Sequence, residues 1–472
     1  MKNRIKQYLL AASMCVGLTA CSDFFEPIPG VQFGLDETFA SKQRTEEYLN
    51  NVYSYVREVT DAIHPNTYGG IFTEASLDGA NRWNKTYAEW TNGSFNSASA
   101  QASEYFSKYY QAIAKASTFI QNVDKCTEAA ASTRGKWKSE ARALRAYYYF
   151  ELLRLYGPIP LIGEDPIPLD ASLEELIKER NSVDECVNFI ATELQSAIDS
   201  GDLLQRAGKA NLGRMDVATC MALKAKLYLY WASPLFNGNT DQASVKNKDG
   251  KQLFPQTEDN SKWAQARDAY ERFMTFATGQ GYKLTEVYTN GKLDPYASCR
   301  AAGEFFTTTW EAVDELIFVK LRDLYDYTYW VCPKFTDFQD TDVTGGGGYY
   351  TTQETVDLFF TKDGLTIEED PSYDKFEGIP GANNFTSGRY YDPNNPSRLY
   401  FDADKSKVLK QWKDREPRFY VNITYSGSIW LNEGKYNEEM RTDFTNGANG
   451  TCGKSKASGD CPDSGYLIRR GA

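Results

Sequence analysis

Histidine is almost absent from this chain. Its 472 residues include a single histidine, His64, which stands before a proline in IHPN. A Ser-His-Asp or Cys-His catalytic arrangement would have to use that residue, and its position before proline is typical of a turn. The chain also lacks C-x-x-C pairs, cysteine–histidine clusters and a Gly-x-x-x-x-Gly-Lys-[Ser/Thr] loop. We therefore expect no catalytic histidine chemistry, no cofactor and no zinc site.

Calcium ligands are present only as scattered oxygen-rich loops. The sequences DFQDTD (337–342) and DPNNP (392–396) supply carboxylate and amide oxygens. Neither follows the twelve-residue calcium-loop pattern. Solvated loops explain them better, so we expect no metal.

Long apolar runs are missing beyond the N-terminus, so the sequence predicts no transmembrane helix. Residues 1–20 combine three basic residues, the short apolar stretch YLLAASMCVGL and small residues before Cys21. This pattern predicts a lipoprotein signal peptide, with Cys21 as the lipid anchor of the mature chain. The alternative is an ordinary signal peptide followed by an incidental cysteine. Residues 21–34 carry two prolines and no periodicity, which indicates an extended tether.

Basic residues are fewer than acidic ones. The chain has 52 Lys+Arg and 64 Asp+Glu residues, a formal net charge of -12. A strongly acidic chain is repelled by phosphate backbones and by anionic headgroups. We therefore expect no nucleic-acid partner and a protein that stays solvated apart from its anchor.

Closely spaced cysteines are rare among the nine in the chain. Cys452 and Cys461 share the Gly/Ser-rich loop TCGKSKASGDC, and a disulfide between them is plausible in an oxidising compartment. The widely scattered cysteines are expected to be buried thiols. They are Cys126, Cys186, Cys220, Cys299 and Cys332.

Helical periodicity dominates the first 280 residues. One helical pattern starts near Asp36 and includes TEEYLNNVYSYVREV, and further helices are expected at 101–123, 132–156, 182–200, 215–232 and 260–279. Three of them share alanines three apart followed by aromatics: ALRAYYYF, ALKAKLYLYW and ARDAYERF. Small residues let helix axes approach and the aromatics fill the next gap, as in tetratricopeptide-type pairs. Chance similarity among Ala/Tyr-rich helices is the alternative.

The pattern changes after residue 280. Short strand-like pieces, ELIFVKL (315–321) and RFYVNITYSG (418–427), stand among Gly/Asp/Asn loops. We therefore predict a mainly α fold. An irregular tetratricopeptide-like array of helical pairs would occupy residues 35–279, and a loop-rich, partly β region would occupy residues 280–472 and pack on it.

The aromatic run ARALRAYYYFELLRLYG (141–157) could be a sugar-stacking surface or core. Projected at 100° per residue, its apolar and aromatic side chains encircle the helix. That distribution favours a helix buried from several sides, with tyrosine hydroxyls reaching polar partners at the edges. Glu151 and Arg154 are spaced to form an i, i+3 pair.

Several stretches together resemble one known family. They are CSDFFE after the leader, KWKSEARALRAYYYFELLRLYGPIPLI, ALKAKLYLYWASPLFNG, TTQETVDLFFTKDGLTI and REPRFYVNITYSG. In this order they resemble the SusD/RagB family, the outer-membrane nutrient-binding lipoproteins of Bacteroidetes. Members usually continue beyond a Gly-Tyr-x-x-Arg segment, here GYLIRR, into a further helix. We therefore expect the C-terminal region to be incomplete.

The resemblance implies a function. It implies a non-enzymatic, surface-exposed lipoprotein of the outer membrane. Such a protein captures oligosaccharides, sometimes glycoproteins or peptides, and passes them to a SusC-like TonB-dependent transporter. The residues leave two alternatives open: a membrane-anchored glycoside hydrolase, which needs two facing carboxylates, or a lipoprotein adaptor for protein partners.

Two loop stretches combine flat aromatics with planar polar groups, as sugar binding requires. They are LDGANRWNKTYAEWTNGSFN (77–96) and LRDLYDYTYWVCPKF (321–335). Local packing of the tryptophans under long loops is the alternative. The predicted ligand-binding residues are Asn81, Arg82, Trp83, Tyr87, Trp90, Tyr327 and Trp330.

Overall fold

The computed structural model describes most of the chain between residues 34 and 469. The described residues are 34–56, 79–81, 93–165, 167–168, 171–303, 314–320, 331–333, 347–375, 378–404, 406–430, 440–441 and 464–469.

The helices of these residues lie mainly in the first 280 positions. They are α1 (Leu35–Ala40), α2 (Lys42–Ser54), α3 (Ala100–Asn122), α4 (Ala131–Tyr156), α5 (Leu173–Leu176), α6 (Val183–Asp199), α7 (Val217–Ala232), α8 (Ser261–Gly279), α9 (Pro295–Gly303), α10 (Gln353–Asp357) and α11 (Pro417–Asn422). Local sequence explains their ends. Ser182 and Glu185 form a capping box at the start of α6. Gly157, at φ +68, ends α4 just before Pro158.

The long helices form a sequential array. α2 packs on α3 and α4, and α3 on α4, α4 on α6, α6 on α7 and α7 on α8. α4 is central, because most of its second half is buried between α3 and α6. The mainly α fold with a helical-pair scaffold is therefore confirmed. None of these helices is long and apolar enough to span a membrane, as far as the described residues go.

The strands are short. They are β1 (Ala80–Asn81), β2 (Tyr288–Thr289), β3 (Lys292–Leu293), β4 (Tyr349–Tyr350), β5 (Arg389–Asp392), β6 (Asn395–Asp402), β7 (Ile423–Tyr425), β8 (Ile429–Trp430), β9 (Met440–Arg441) and β10 (Tyr466–Ile468). Four of them form an antiparallel sheet in the order β1–β4–β10–β7. The sheet joins chain segments that are hundreds of positions apart in sequence.

A second core lies in the C-terminal half. Tyr400 and Tyr420 stack with ring centroids 3.9 Å apart, and Trp412 contacts Tyr425 and Tyr466. The helical array has its own core around α4. The domain boundaries at residues 279 and 280 stay a prediction, as does the incomplete C-terminal region.

The predicted helices agree with α3, α4, α6, α7 and α8 within two residues, and the short helix α5 was not predicted. The first helical pattern, near Asp36, is interrupted. Ser41 takes an extended conformation between α1 and α2.

Of the scattered cysteines, Cys126, Cys186 and Cys220 are buried thiols as expected, whereas Cys299 and Cys332 are only partly buried.

Both strand predictions need correction. Residues 315–320 form a turn, a bend and irregular chain instead of a strand. The carbonyl of Ile317 accepts from the Thr219 hydroxyl of α7. Residues 418–422 belong to α11, since Pro417 at the first helical position favours a helix start. The strand β7 follows only at Ile423.

Candidate functional site

The aromatic run of α4 is core. Tyr148 and Tyr149 have no exposed surface, and Phe150 is 2% exposed. Tyr149 Oη donates to Ile162 O at 2.8 Å and accepts from Ile162 N at 3.0 Å, and Tyr148 Oη donates to Val52 O. These hydroxyls therefore tie α4 to neighbouring chain. The prediction of a helix buried from several sides is confirmed, and this run is no sugar platform.

The predicted i, i+3 ion pair on α4 is also present. Arg154 Nη1 lies 2.9 Å from Glu151 Oε1, and both side chains are buried. The Arg154 guanidinium also lies over the Tyr230 ring, 5.0 Å from its centroid. The pair therefore links α4 to α7.

The chain at β4 contacts one described residue of each predicted binding stretch. Asn81, at the start of the first stretch, pairs with Tyr349. Two residues before Tyr349, Gly347 N donates to Cys332 O at 2.9 Å, and Cys332 belongs to the second stretch. One described residue of each stretch, Asn81 and Cys332, therefore contacts the chain at or just before β4.

Most predicted site residues lie outside the described residues. They are Arg82, Trp83, Tyr87, Trp90, Tyr327 and Trp330, together with the anchor Cys21 and the pair Cys452 and Cys461. Asn81 is described as part of β1, without its side chain. The roles of all these residues stay predictions.

Two cavities lie on the helical array. One of about 420 Å³ is mostly apolar and lies between α3 and the chain from Pro160 to Lys178. Its lining suits a hydroxyl-rich ligand poorly, because few polar groups face it. The other, of about 310 Å³, lies at the end of α2 and is lined by Tyr53, Arg214 and Lys320, among others.

Comparison with known proteins decides the family. A SusD-like family model described as "Starch-binding associating with outer membrane" matches residues 32–229, and the SusD family model, SusD/RagB, matches residues 315–472. These two ranges cover most of the helical array and the C-terminal core.

The chain belongs to the SusD/RagB family.

Similar SusD/RagB proteins share the fold. A SusD-like protein of Bacteroides ovatus is 27% identical over 175 residues, which are 36% of this chain and 30% of that relative. The solved structure of BT4246 superposes with a TM-score of 0.72 at 23% identity, over 91% of this chain and 72% of the other. The structure of a SusD-like carbohydrate binding protein (BF0978) from Bacteroides fragilis superposes with a TM-score of 0.58 at 17% identity. The match covers 92% of this chain and 68% of the other. At these identities the structural likeness concerns the fold.

No residues described in this SusD/RagB chain offer a metal site. Three or more His, Cys, Asp or Glu side chains in ligand geometry are not found in the described part. The DPNNP loop instead holds an ion-pair network. Arg398 Nη1 lies 3.0 Å from Asp294 Oδ1 and 2.5 Å from Asp392 Oδ2. The guanidinium of Arg398 therefore already neutralises the two carboxylates that a metal cation would have to bind.

A buried carboxylate lies behind the smaller cavity. Glu140 on α4 is 1% exposed, accepts from Tyr53 Oη at 2.9 Å and lies 3.0 Å from Arg214 Nε. Burial raises the pKa of Glu140 above its ordinary 4.5, although Arg214 and the Tyr53 hydroxyl oppose the shift. No sequence pattern indicated this cluster, because its members are distant along the chain.

We expect Glu140 to make stability depend on pH. The carboxyl group of Glu140 binds its proton more tightly in the folded protein than in the unfolded chain. This contribution is therefore fully present below the ordinary glutamate pKa and lost as pH rises through the raised pKa. Urea unfolding followed by circular dichroism between pH 4 and 8 measures how the free energy of unfolding changes with pH. Glu140→Gln should remove the part of this slope that Glu140 contributes. The exposed Glu174→Gln should keep the wild-type slope, and an unchanged slope in Glu140→Gln would contradict the assignment.

Proposed function

We propose that this protein is a surface-exposed glycan-binding lipoprotein. It captures oligosaccharides and passes them to a SusC-like TonB-dependent transporter in the outer membrane. The main support is that the chain at β4 contacts one described residue of each aromatic-rich stretch: Tyr349 pairs with Asn81, and Gly347 N donates to Cys332 O. Starch binding in the description of the family model points the same way.

The chemistry of the two stretches suits sugars. Trp83 follows Asn81 by two positions, and Trp330 precedes Cys332 by two. Indole rings offer flat apolar faces for the C–H patches of a sugar. The amide of Asn81 and the guanidinium of Arg82 offer planar donors for hydroxyls. A rigid helical scaffold beneath such loops is the usual arrangement of a binding site.

The first prediction concerns the tryptophans. Changing Trp83, Trp90 and Trp330 to alanine together should weaken polysaccharide binding at least about tenfold, because aromatic hot spots commonly contribute about 2 kcal/mol or more. Isothermal titration with soluble starch, laminarin, xyloglucan and mannan measures the affinity. Trp263 on α8 is a matched control, since it is 42% exposed on the scaffold, and Trp263→Ala should bind as the wild type does.

Two results would contradict the proposal. A well-folded wild type that binds none of a broad glycan panel would overturn glycan capture and favour an adaptor for protein partners. Wild-type affinity in the triple variant would overturn the site. The release of reducing sugar from the same polysaccharides would favour the glycoside hydrolase, for which an acidic pair would then have to be found.

The membrane location is part of the proposal. It is supported by the leader and by Cys21 at its end. Cys21 would carry the lipid, and the mature chain would stand on the outer surface. Fractionation of cells, with protease treatment of intact cells, tests the location. Recovery of the protein in the soluble fraction would contradict it.

A further inference from the structure

The larger cavity of the helical array, of about 420 Å³, is a groove between α3 and α5, which we call the α3–α5 groove. Phe106, Tyr110 and Ile113 line it on the α3 side, and Leu176 and Ile177 line it on the other side. Phe106 is 38% exposed, Leu176 is 51% exposed and Ile177 is 67% exposed. These large apolar side chains border a cavity and still face solvent, so the groove is open and its mouth is apolar. Exposed apolar clusters of this kind mark binding surfaces.

The walls of the α3–α5 groove are formed in the unbound protein. Tyr110 Oη donates to Pro160 O at 2.6 Å, which fixes the chain opposite α3. The rings of Phe106 and Tyr110 pack with centroids 4.7 Å apart. Ser172 and Glu175 form a capping box that holds the turn of α5. A groove that is arranged in advance loses little conformational freedom when it binds.

The polar groups of the groove are few and mostly engaged. Ser117 is 2% exposed, and its Oγ already accepts from Arg145 Nη1 at 3.0 Å. Lys178 alone is charged among the described residues that line the groove. The occupant must therefore present a large apolar surface, which the hydroxyl-rich faces of a sugar do not offer.

The apolar surface extends past the cavity. Leu173 is 73% exposed and is not among the residues that line the groove. It precedes Leu176 by three positions, so both side chains lie on one face of α5. A small molecule inside the groove would leave Leu173 in water. An amphipathic helix, whose apolar side chains recur at i, i+3, i+4 and i+7, would cover the groove and Leu173 together.

The charge around the mouth is negative. Residues 164–180 include six acidic and two basic residues. Glu164, Glu174 and Glu179 of this segment are exposed. The described α3 residues that line the opposite wall are uncharged, so the acidic side dominates. A segment with lysine or arginine beside its apolar face would be attracted, and an acidic segment would be repelled.

We propose that the α3–α5 groove docks a segment of a partner protein that forms a basic amphipathic helix. Leucines or other large apolar side chains of that helix enter the groove and contact Phe106 and Tyr110. Its lysine or arginine side chains lie beside Glu174 and Glu179. This surface is separate from the predicted sugar-binding residues, and the inference does not depend on glycan capture.

A synthetic peptide tests the inference on the whole chain. The probe is a fluorescein-labelled, amidated peptide of about fourteen residues, with leucine at i, i+3, i+4 and i+7 and with lysine and alanine elsewhere. Fluorescence polarisation measures its affinity. A second peptide has glutamate in place of each lysine, and a third has the first composition in scrambled order. Both should bind at least about tenfold more weakly than the first.

Two double variants locate the peptide. Leu176→Ser/Ile177→Ser should weaken binding of the lysine peptide about tenfold, because apolar anchors carry much of such an interface. Both side chains are more than half exposed, so the fold should be kept, which circular dichroism checks. Glu174→Lys/Glu179→Lys should weaken the lysine peptide and strengthen the glutamate peptide. Damage to the fold alone would not exchange the preference between the two peptides.

Matched controls change the same residue types elsewhere. Leu284 is 78% exposed and lies outside the groove, so Leu284→Ser should bind the lysine peptide as the wild type does. Asp363 and Glu368 are exposed in the C-terminal half. Asp363→Lys/Glu368→Lys changes the net charge by the same amount as Glu174→Lys/Glu179→Lys and should also keep wild-type affinity. A loss in this control equal to that in Glu174→Lys/Glu179→Lys would mean that only net charge attracts the peptide and would overturn the docking site.

Three further results would overturn the proposal. The first is no binding of the lysine peptide by the wild type, or equal binding of the lysine and glutamate peptides. The second is a wild-type dimer in sedimentation that Leu176→Ser/Ile177→Ser makes monomeric, because the groove would then hold a second copy of this chain. The third is binding of dodecanol that displaces no peptide and is lost in the same variant, which would assign the groove to a small apolar molecule. None of these results depends on whether the protein binds polysaccharide.

Discussion

Arg145→Met should lower the free energy of unfolding by about 3–5 kcal/mol, because it leaves a buried carboxylate without its main partner. Arg145 on α4 has no exposed surface. Its Nε donates to Glu193 Oε2 of α6 at 2.9 Å, its Nη2 bonds the same oxygen, and its Nη1 donates to Ser117 Oγ of α3 at 3.0 Å. One side chain thus joins three consecutive helices of the array.

Arg142 is the matched control for this prediction. It lies one turn earlier on α4, and its Nη1 contacts Glu193 Oε1 at 3.1 Å, but its side chain is 24% exposed. Arg142→Met should therefore lower the free energy of unfolding much less, by about 1 kcal/mol or below. Urea unfolding followed by circular dichroism measures both. Equal losses would contradict the special role of burial. Arg145→Met/Glu193→Met should recover part of the loss, since replacing both members of a buried pair by apolar groups is often tolerated.

The array itself could be predicted from sequence. The helical period, the alanine–aromatic motifs and the long amphipathic stretches identify α3, α4, α6, α7 and α8 within two residues. Local signals suffice there, because each helix must bury a continuous face against its neighbours. The buried Arg145 is different. An arginine within an apolar helix is a sign of a buried ion pair, yet its partner Glu193 is 48 positions away.

Residues 314–320 show where pattern reading fails. The apolar residues of ELIFVKL resemble a strand, but the Phe318 ring packs against Tyr147 of α4, and the Ile317 carbonyl accepts from the Thr219 hydroxyl. Alternating apolar residues indicate an extended chain with one buried face. They do not say whether a sheet or a helical surface covers that face. The same limit applies to Lys320, whose helix-capping role depends on a contact across 264 positions.

The candidate site is only partly readable. Aromatic and planar polar residues mark its two stretches in the sequence. The described contact of the first stretch depends on β1 and β4, each of two residues. Strands this short have no periodic signal. Their pairing across about 270 positions follows from the way the whole chain folds. The sequence suggested the site residues, and the structure adds the contacts of Asn81 and Cys332 with the chain at β4.

Arg415→Met should destabilise the C-terminal half by about 3–5 kcal/mol, since several buried carbonyls would lose their donor. Arg415 opens the REPRFYVNITYSG stretch and is 3% exposed. Its Nη2 donates to Val356 O at 2.7 Å and to Phe359 O at 2.6 Å, and its Nη1 donates to Tyr373 Oη at 2.9 Å. The guanidinium also lies over the Phe419 ring, 5.0 Å from its centroid. It therefore joins α10, the loop that follows and α11.

Arg418 is the control for this prediction, because it carries the same charge as Arg415 but is exposed. It lies three positions later, is 55% exposed and pairs with Glu416 at the surface, so Arg418→Met should cost about 1 kcal/mol or less. Loss of the near-ultraviolet signal of the C-terminal aromatics in Arg415→Met, with the helical far-ultraviolet signal retained, would mean that the second core opens while the array stays folded. That core contains Tyr425 of β7 and Tyr466 of β10, so its opening should release the sheet and abolish glycan binding. Arg415→Met with wild-type stability, or with intact binding after the core opens, would contradict this coupling of core and site.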